Sequence, residues 1–362
     1  MKIVVTGTRG IPDIQGGVET HCEQLYPRLC ALGTDVTIIR RGAYIHDNLT
    51  EYKGVKLTDI PSPRKKSLEA IVHTFRAVVK ARQLGADILH VHAIGPALVI
   101  PFARMLGLKV VMTNHGPDYD REKWGRLAKF MLRLGERLGT RFSNAVIVIS
   151  PLIASNLNRL YGRKDTDLIF NGVEPPTPSK NTDYIDSLGL TPGKYVFALG
   201  RFVKEKNFHL LIEAFSKTDH GDTKLVIAGD ADHPDDYSRH LKELARQKGA
   251  VLPGFVKGEK LRQLMSHASL FVLPSTHEGL PISLLEAMSY GLDILVSDIE
   301  ANRLPELSGD DFFHTADEAA LVAALQKKLS EGAKRRVYDL KNYNWDEIAR
   351  STLNVYQKVA KK

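Results

Sequence analysis

Two glutamates eight residues apart, Glu278 and Glu286, lie in a segment whose residue types suit the binding of hydroxyls and phosphate. Pro281 stands where the first residue of a helix is expected, so Glu278 would precede the helix and Glu286 would lie within it. The loop carboxylate could accept hydrogen bonds from sugar hydroxyls, and the helical one could bind a ribose diol. Backbone N–H groups around 279–283 could hold a phosphate, and the residues assigned there are Gly279, Leu280, Pro281 and Ile282. The alternative is a helix cap followed by a surface glutamate.

Two cations stand five residues apart in the segment Gly-Arg-Phe-Val-Lys-Glu-Lys-Asn, which follows an apolar run. Arg201 would follow a buried strand and Lys206 would open the next helix. Both could then converge above the carboxyl edge of a sheet, where open α/β sheets bind ligands. A forked guanidinium and a compact ammonium together suit a diphosphate. Taken alone, the pair could also be a surface arginine and a lysine at a helix start.

A glycine pair, Gly16 and Gly17, precedes a helix that the pattern begins at Val18. Glycines here would let backbone N–H groups approach a phosphate or a sugar, and the helix N-terminus would add partial positive charge. The spacing of Gly7 and Gly10 does not match the dinucleotide-binding pattern G-x-G-x-x-G. The alternative is a tight turn that needs glycine.

Other residues of metal-ligating type receive structural interpretations. The strings Asp118-x-Asp120 and Asp230-x-Asp232 have the D-x-D form of some metal sites, but two acids at this gap occur often by chance. His90 and His92 alternate on a buried strand and are expected to be satisfied residues at a sheet end, one of which could border a substrate site. Because the cations above already suit phosphate, we expect no metal and no cofactor.

Short apolar runs alternate along the chain with longer segments of helical period. The runs are rich in Val, Ile and Leu without polar alternation, which is typical of strands buried on both faces of a parallel sheet. Strands are predicted at 2–7, 35–41, 56–60, 86–92, 109–114, 145–149, 167–170, 195–200, 224–229, 251–256, 270–274 and 293–297. Helices are predicted at 18–32, 67–84, 121–141, 206–217, 236–248, 281–290, 316–330 and 346–360. The alternation predicts an α/β fold built from βαβ units.

Three prolines in the polar stretch 175–181 predict a linker between two Rossmann-like domains, each a doubly wound parallel sheet. The predicted domains are residues 1–174 and 182–342. The last helix, within 343–362, is expected to return to the first domain. Two domains also agree with a length of 362 residues.

The net charge of +8 comes wholly from the first half of the chain. Residues 1–175 hold 25 Lys and Arg against 16 Asp and Glu, whereas residues 176–362 hold 25 against 26. In 121–141, seven cations accompany apolar residues at helical spacing, as in a basic amphipathic helix. Such a helix suits an anionic membrane surface or a lipid-linked diphosphate, or it is only a solvated face. Nucleic acid fits less well, because aromatic residues do not interleave with the cations.

The sequence also predicts a compartment. It contains two cysteines, no run of 18 apolar residues and no recognisable leader. We therefore expect a cytoplasmic protein, peripheral at the inner face of the cytoplasmic membrane.

Together these motifs resemble the retaining glycosyltransferases of family 4, which have the GT-B fold. The resemblance rests on E-x7-E after a Pro-Ser strand end, on G-R-x4-K-N, and on G-G-x-E in the first loop, and it covers nearly the whole chain. The opening T-G-T-R-G-I-P-x3-G-G-V-E-T is similar to a bacterial subgroup of rhamnosyltransferase-like enzymes of surface polysaccharide synthesis. The segment 114–124 also resembles that subgroup, but it departs from the expected Asp-Gly-Leu-Glu-Trp and carries the histidine of the wider family at His115.

The resemblance implies two domains facing across a cleft and a role for each matched residue. Arg201 and Lys206 would bind the diphosphate of a nucleotide sugar, Glu278 the donor sugar and Glu286 the ribose. His115 would contact the transferred sugar, and with Glu278, Arg201 and Lys206 it forms the predicted catalytic set. The residues assigned to donor binding also include Gly16, Gly17, Gly279, Leu280, Pro281 and Ile282. The acceptor side is assigned to Asp118, Arg121, Lys123 and Trp124.

The resemblance further implies a front-face route, in which the leaving diphosphate takes the acceptor proton and fixed cations stabilise its charge. The predicted function is transfer from a nucleotide-diphosphate sugar, with dTDP-rhamnose or a UDP or GDP sugar as donor, to a lipid-linked or saccharide acceptor. The alternatives are a sugar-nucleotide 2-epimerase of the same fold and a non-catalytic protein that binds sugar nucleotides.

Overall fold

The structure, a computed structural model, describes residues 1–61, 66–117, 119, 125–232 and 234–361, with the backbone alone for 66–71. Its contacts divide the chain into two compact units. Unit 1 consists of Met1–Gly172 and Tyr343–Lys362, and unit 2 of Val173–Asn342.

Unit 1 is built on an eight-stranded sheet. Its strands are β1 (Lys2–Thr6), β2 (Asp35–Arg41), β3 (Glu51–Tyr52), β4 (Val55–Ile60), β5 (Ile88–His92), β6 (Lys109–Asn114), β7 (Ala145–Val148) and β8 (Thr166–Leu168). They lie in the order β3-β4-β2-β1-β5-β6-β7-β8. All neighbouring pairs are parallel except β3 and β4. The helices of this unit are α1 (Gly17–Ala31), α2 (Lys66–Gln83), α3 (Ile100–Met105), α4 (Arg126–Phe142), α5 (Pro151–Tyr161) and the last helix, α12 (Trp345–Lys361).

Unit 2 contains a five-stranded parallel sheet. Its strands are β9 (Tyr195–Leu199), β10 (Lys224–Ala228), β11 (Leu270–Leu273), β12 (Asp293–Ser297) and β13 (Phe312–Phe313), in the order β10-β9-β11-β12-β13. Its helices are α6 (Asp183–Ser187), α7 (Phe208–Lys217), α8 (Asp236–Lys248), α9 (Gly258–His267), α10 (Ile282–Ser289) and α11 (Glu318–Ser330).

Both sheets are buried on both faces, as their unbroken apolar runs predict. Along β1, Ile3 and Val5 pack in one cluster with residues of α1 and α12, and Val4 packs in another with residues of α2 and α3. Along β9, Val196 lies among residues of α7, α8 and α11, whereas Phe197 lies among residues of α9 and α10. Alternate side chains of one strand therefore enter opposite helical layers.

Local sequence signals set several helix ends. Ser150 caps α5 by accepting from the Ile153 N–H, and Gly162 ends the helix in the left-handed region. Helix α8 begins with a capping box between Asp235 and Ser238 and ends at Gly249. These residues explain why the predicted boundaries of α8 agree with the structure.

Three predictions need correction. The strand predicted at 251–256 is reduced to one bridge between Val251 and Val226, because Pro253, two residues later, cannot donate a ladder hydrogen bond. The predicted linker at 175–181 belongs to unit 2, where the Ser179 N–H donates to Ser266 Oγ at 2.9 Å. Helix α4 begins at Arg126 rather than at 121, and residues 121–124 lie outside the described part of the chain. Within that described part, none of the helices has both the length and the apolar character needed to cross a bilayer.

Candidate active site

Three loops meet at the carboxyl edge of the unit 2 sheet, because β10, β9 and β11 are parallel neighbours. They connect β9 to α7, β10 to α8, and β11 to α10. The first and third loops are joined by an ion pair in which Lys206 Nζ lies 2.6 Å from Glu278 Oε1. Two of the residues assigned to the donor are therefore in direct contact.

A glycine and a left-handed residue place Lys206. A Cβ on Gly200 would lie 3.1 Å from Lys206 Cε and 3.3 Å from Phe208 Cζ, so glycine leaves room for the lysine stem to cross the strand end. The chain then makes a short 3₁₀ turn over 204–206, and Asn207, at a φ of 55°, starts α7. Asparagine tolerates this left-handed conformation better than most residues. The motif G-R-x4-K-N thus has a structural reason at its glycine and its asparagine.

The Lys206–Glu278 pair is largely shielded from water, with 17% and 11% of the two side chains exposed. Burial would raise the pKa of Glu278, but the charge and hydrogen bond of Lys206, together with smaller contributions from Ser275 and His277, outweigh it, so the net pKa lies below its usual value. Glu278 is consequently a carboxylate at neutral pH. It can accept hydrogen bonds from hydroxyl groups while it neutralises the lysine.

Arg201 also has an acidic partner, since its Nη1 lies 3.0 Å from Asp232 Oδ2. The neighbouring Asp230 pairs with Lys242 at 2.8 Å. The two acids of Asp230-x-Asp232, which lie in the second loop, therefore neutralise Arg201 and Lys242, a role that the sequence analysis missed. This role could have been predicted, because the second loop follows a strand adjacent to β9 and its acids therefore share a sheet edge with Arg201.

The start of α10 offers backbone donors to a ligand. Pro281 is its N-cap and supplies no side-chain hydrogen bond to the first turn. Gly279, Leu280 and Pro281 form the approach to the helix, and Ile282 is its first residue. First-turn amides lack partners within a helix, so this end suits an anion.

Glu286 lies in the second turn of α10, on a partly exposed position. Burial raises its pKa to about 7, against the smaller opposing effect of the charge of Lys257. Among the described residues it has no side-chain hydrogen bond, unlike Glu278. The carboxylate is thus available to a ligand and changes its charge near neutral pH.

In unit 1, the side chain of Glu19 leaves no room for a residue larger than glycine at position 16. A Cβ on Gly16 would lie 2.1 Å from Glu19 Oε2, and its φ of 149° favours glycine. The Glu19 carboxylate accepts hydrogen bonds from the Arg9 N–H at 3.0 Å and from Thr8 Oγ1 at 3.3 Å. Gly17, which starts α1, has open space at its Cβ position. The glycine pair therefore has a structural reason at Gly16, and a role for Gly17 in ligand binding stays a prediction.

His115 follows β6 and is held by its neighbours. Its Nε2 lies 2.9 Å from His92 Nδ1. The preceding residue, Asn114, donates from Nδ2 to the buried carboxylate of Glu136 on α4 at 3.1 Å. Burial, with smaller contributions from His21 and His90, holds the pKa of His115 well below its usual value. The ring is therefore neutral at pH 7.

His115 belongs to a group of aromatic and imidazole rings that sequence analysis did not assemble. We call His21, His92 and His115 the histidine cluster. The His21 ring lies 5.0 Å from that of His115 and 5.4 Å from that of Trp345, between centroids. His92 also hydrogen bonds to the hydroxyl of Tyr26. The predicted satisfied environment of His92 is observed, but its contact with His115 required the β5–β6 pairing to be known.

Helix α4 presents a basic and apolar outer face. Leu127 and Phe130 are exposed to 75% and 59%, so these apolar side chains do not take the inner position of the helix. Glycines take that inner position instead: a Cβ on Gly135 would lie 2.2 Å from the Ile94 carbonyl oxygen, and one on Gly139 would lie 2.4 Å from Met112 Sδ. The cations of this helix are Arg126, Lys129, Arg133, Arg137 and Arg141.

The predicted site residues thus fall into three groups. Unit 2 brings Lys206 and Glu278 into contact and places Arg201 at the same sheet edge, with Glu286 on the adjacent helix. Unit 1 holds the second group, which consists of Gly16, Gly17 and His115. The third group, the acceptor-side residues, lies outside the described part of the chain: Asp118, Arg121, Lys123 and Trp124.

Comparison with known families gives two consecutive matches. Residues 15–176 match the model described as Glycosyltransferase Family 4, and residues 181–345 match the model described as Glycosyl transferases group 1. The boundary between the matches lies within the proline-rich stretch 175–181, which belongs to unit 2.

Individual relatives agree with these matches. The chain is 26% identical to the alpha-maltose-1-phosphate synthase of Mycobacterium tuberculosis over an alignment of 407 residues, which covers 99% of this chain and 100% of that protein. It is also 26% identical over 294 residues to the GDP-mannose:cellobiosyl-diphosphopolyprenol alpha-mannosyltransferase of Komagataeibacter xylinus, covering 76% and 72%. The solved sucrose-phosphate synthase of Thermosynechococcus elongatus has the same fold, with a TM-score of 0.84, 21% identity and coverage of 99% and 98%.

Proposed function

Because this chain is a GT-B glycosyltransferase of the family 4 type, we propose that it transfers a sugar with retention from a nucleoside-diphosphate donor to a lipid-linked or saccharide acceptor. The observation that carries the proposal is the Lys206–Glu278 pair at the carboxyl edge of the unit 2 sheet. It combines a cation for phosphate with a carboxylate for sugar hydroxyls beside a helix N-terminus.

The donor is proposed to bind through four contacts of unit 2. Arg201 and Lys206 hold the diphosphate, and the first-turn amides of α10 add donors to it. Glu278 accepts from hydroxyls of the donor sugar, and Glu286 accepts from the ribose diol. His115 of unit 1 is proposed to hydrogen bond to the transferred sugar, for which its neutral ring is suited because it has both a donor and an acceptor nitrogen.

Charge stabilisation is proposed to do most of the catalytic work. As the glycosidic bond to the diphosphate breaks, negative charge grows on the leaving oxygen, and Arg201 and Lys206 stabilise it there. In a front-face route that oxygen accepts the proton of the acceptor hydroxyl, so no enzyme nucleophile is required. Two fixed cations and a helix N-terminus can carry this charge, and we propose that transfer needs no metal.

The acceptor and the location are proposed from α4. Its exposed Leu127 and Phe130, next to a row of cations, form a surface that suits an anionic membrane. The Komagataeibacter relative is named for a diphosphopolyprenol acceptor, which supports a lipid-linked acceptor at the inner face of the cytoplasmic membrane. Surface polysaccharide synthesis is the corresponding process. The rhamnose donor predicted from the opening motif stays a prediction, as neither relative is named for that sugar.

A donor screen tests this function. The purified chain is mixed with UDP, GDP, ADP and dTDP sugars, thermal shifts rank the donors, and NMR follows the best one with a polyprenyl-diphosphate glycan acceptor. Retention predicts a product with the anomeric configuration of the donor, formed only when acceptor is present. An inverted product would contradict the mechanism. Conversion of the donor into its 2-epimer without acceptor would indicate an epimerase, and tight binding without turnover would indicate a binding protein.

A further inference from the structure

The histidine cluster brings three imidazole nitrogens together. One ring nitrogen from each of His21, His92 and His115 lies within 4.8 Å of the other two. The residues come from three elements: α1, β5 and the loop after β6. His21 and His92 are buried, whereas His115 is partly exposed and leaves an open side.

The neighbours of the cluster orient two of the rings. His21 Nδ1 lies 3.0 Å from Asn171 Oδ1, and because that oxygen can only accept, Nδ1 carries the proton and Nε2 keeps a lone pair. His92 Nε2 contacts the hydroxyl of Tyr26, which leaves His92 Nδ1 facing His115 Nε2. Histidine ligands of metals are commonly oriented by such hydrogen bonds on the other ring nitrogen.

We propose that the histidine cluster is a binding site for a divalent transition metal of the zinc class, held by His21 Nε2, His92 Nδ1 and His115 Nε2. Three neutral imidazoles with one open position form a common zinc ligand set. With Zn–N bonds of about 2.0–2.1 Å, tetrahedral geometry separates ligand nitrogens by roughly 3.3 Å. The 2.9 Å contact between His92 and His115 must widen slightly, and His21 must approach, both by side-chain rotation.

Proton balance permits this binding. His21 donates from Nδ1 to Asn171 and keeps a lone pair on Nε2, so this ring does not have to lose a proton. The hydrogen bond between His92 and His115 holds one proton on a ligand nitrogen. Coordination moves that proton to the other nitrogen of the same ring, and no net proton is released.

Occupancy would remove His115 from the reaction. This consequence rests on the proposed function, in which the ring binds the donor sugar, whereas metal binding itself does not. With Nε2 coordinated, the proton of His115 is held on Nδ1, so the ring can no longer accept a hydrogen bond from a sugar hydroxyl. The metal would therefore inhibit a transfer reaction that does not need it.

Metal binding is tested directly on the full chain without a polyhistidine tag. After treatment with EDTA and dialysis, titration with Co²⁺ should give the intense visible absorption of a tetrahedral site, and calorimetry with Zn²⁺ should give one site per chain. X-ray absorption of the zinc complex should show three imidazole ligands. Absence of the Co²⁺ spectrum, or zinc bound by fewer than three imidazoles, would overturn the proposal without any variant being needed.

Two variants locate the site. His21→Gln should lower the zinc affinity at least 10-fold, and His240→Gln, which changes an exposed histidine of α8, should leave it unchanged. Circular dichroism and the melting temperature identify a His21 variant that does not fold, in which case Asn171→Ala replaces it and should weaken zinc 10- to 100-fold through the lost orientation. Equal affinity in the wild type and the folded variant would exclude the cluster.

A separate experiment measures the effect of zinc on enzyme activity. With the donor identified by the screen, one equivalent of Zn²⁺ should lower kcat in the wild type, and EDTA should restore it. Zinc bound at the cluster with unchanged kcat would leave the metal site intact and contradict the proposed role of His115. Stimulation by zinc would overturn both the inhibition and the metal-free mechanism.

Discussion

The Lys206 ammonium lies 2.6 Å from the Glu278 carboxylate, although 72 positions separate the two residues in the chain. The cation assigned to phosphate is therefore neutralised by the acid assigned to the donor sugar. Donor binding has to redistribute this charge between the carboxylate and the phosphate. The pair acts as a single electrostatic element.

This coupling predicts opposite effects of Glu278→Gln on binding and on turnover. Removal of the carboxylate charge frees Lys206, so the affinity for the nucleoside diphosphate product should rise several-fold. Turnover should fall, because the neutral amide is a weaker acceptor for hydroxyls of the donor sugar. Calorimetry with the diphosphate and initial rates with the sugar donor measure the two effects. A fall in both would show that Glu278 does not restrain Lys206.

The cations themselves should discriminate the diphosphate from the nucleoside. Arg201→Ala or Lys206→Ala should weaken nucleoside-diphosphate binding by roughly 1.5–3 kcal/mol, or about 10- to 150-fold, through loss of one charge-assisted contact. Nucleoside binding should change little. Lys204→Ala, in the same turn but exposed, is the matched control. Equal losses for nucleoside and diphosphate would contradict the assignment.

Donor affinity should rise with pH between 6 and 8. Burial raises the pKa of Glu286 to about 7, so the side chain is mostly neutral at pH 6 and mostly ionised at pH 8. The ionised form accepts more strongly from a ribose diol, and donor KM should fall across this window. Glu286→Gln should raise KM and remove its pH dependence, with little change in kcat. A pH profile that the variant leaves intact would show that another group titrates.

Vesicle flotation tests the outer face of α4. Reversal of Arg126, Lys129, Arg133 and Arg137 to Glu should release the chain from anionic vesicles, since each cation near the surface contributes about 1 kcal/mol. Donor binding by unit 2 should be unaffected. The matched control reverses four exposed cations of α8: Arg239, Lys242, Arg246 and Lys248.

High salt should release the wild type too, because screening acts over roughly 8 Å at physiological ionic strength. The double substitution Leu127→Ser and Phe130→Ser should reduce the amount of protein that stays bound to vesicles at high salt. If wild type and the α4 variant float equally, or if the α8 control loses as much binding as the α4 variant, the basic excess is not a membrane surface.

Stability should fall on mild acidification, and His73 provides a measurable share. Burial, helped by the charge of Arg41, lowers its pKa to about 4, against about 6.5 in the unfolded chain. Between these values the unfolded state binds more protons, so the free energy of unfolding falls by about 2 kcal/mol from pH 7 to pH 5. In a folded His73→Gln variant, urea titrations at both pH values should show a correspondingly smaller loss. An unchanged loss would mean that His73 does not titrate this way.

Most strands could be predicted because they are continuous apolar runs, and a run buried on both faces has few alternatives. Strands at the edges of the sheets were harder to predict. At 251–256 the apolar residues suggested a strand, but Pro253 and Gly254 allow only the bridge at Val251. For helix α4, the sequence pattern predicted the helix but not the side that packs on the rest of unit 1. That side is set by the close contacts of Gly135 and Gly139, which a hydrophobicity pattern does not reveal.

The unit 2 site was partly predictable for a topological reason. Residues that follow parallel strands share one sheet edge, so Arg201, Lys206 and Glu278 were expected near one another. Which charges pair was not predictable, because pairing depends on loop conformation. The contact between His92 and His115 additionally needs the spatial neighbourhood of β5 and β6, which is fixed by the whole sheet.

The last helix has a consequence for synthesis on the ribosome. Trp345, Tyr356 and Val359 of α12 are part of the same core as Ile3 and Val5. The core of unit 1 is therefore incomplete until α12 has been made, whereas all residues of unit 2 have been translated by then. Although it is translated first, unit 1 completes its core last, and during that interval its nascent form exposes an apolar face that α12 later covers.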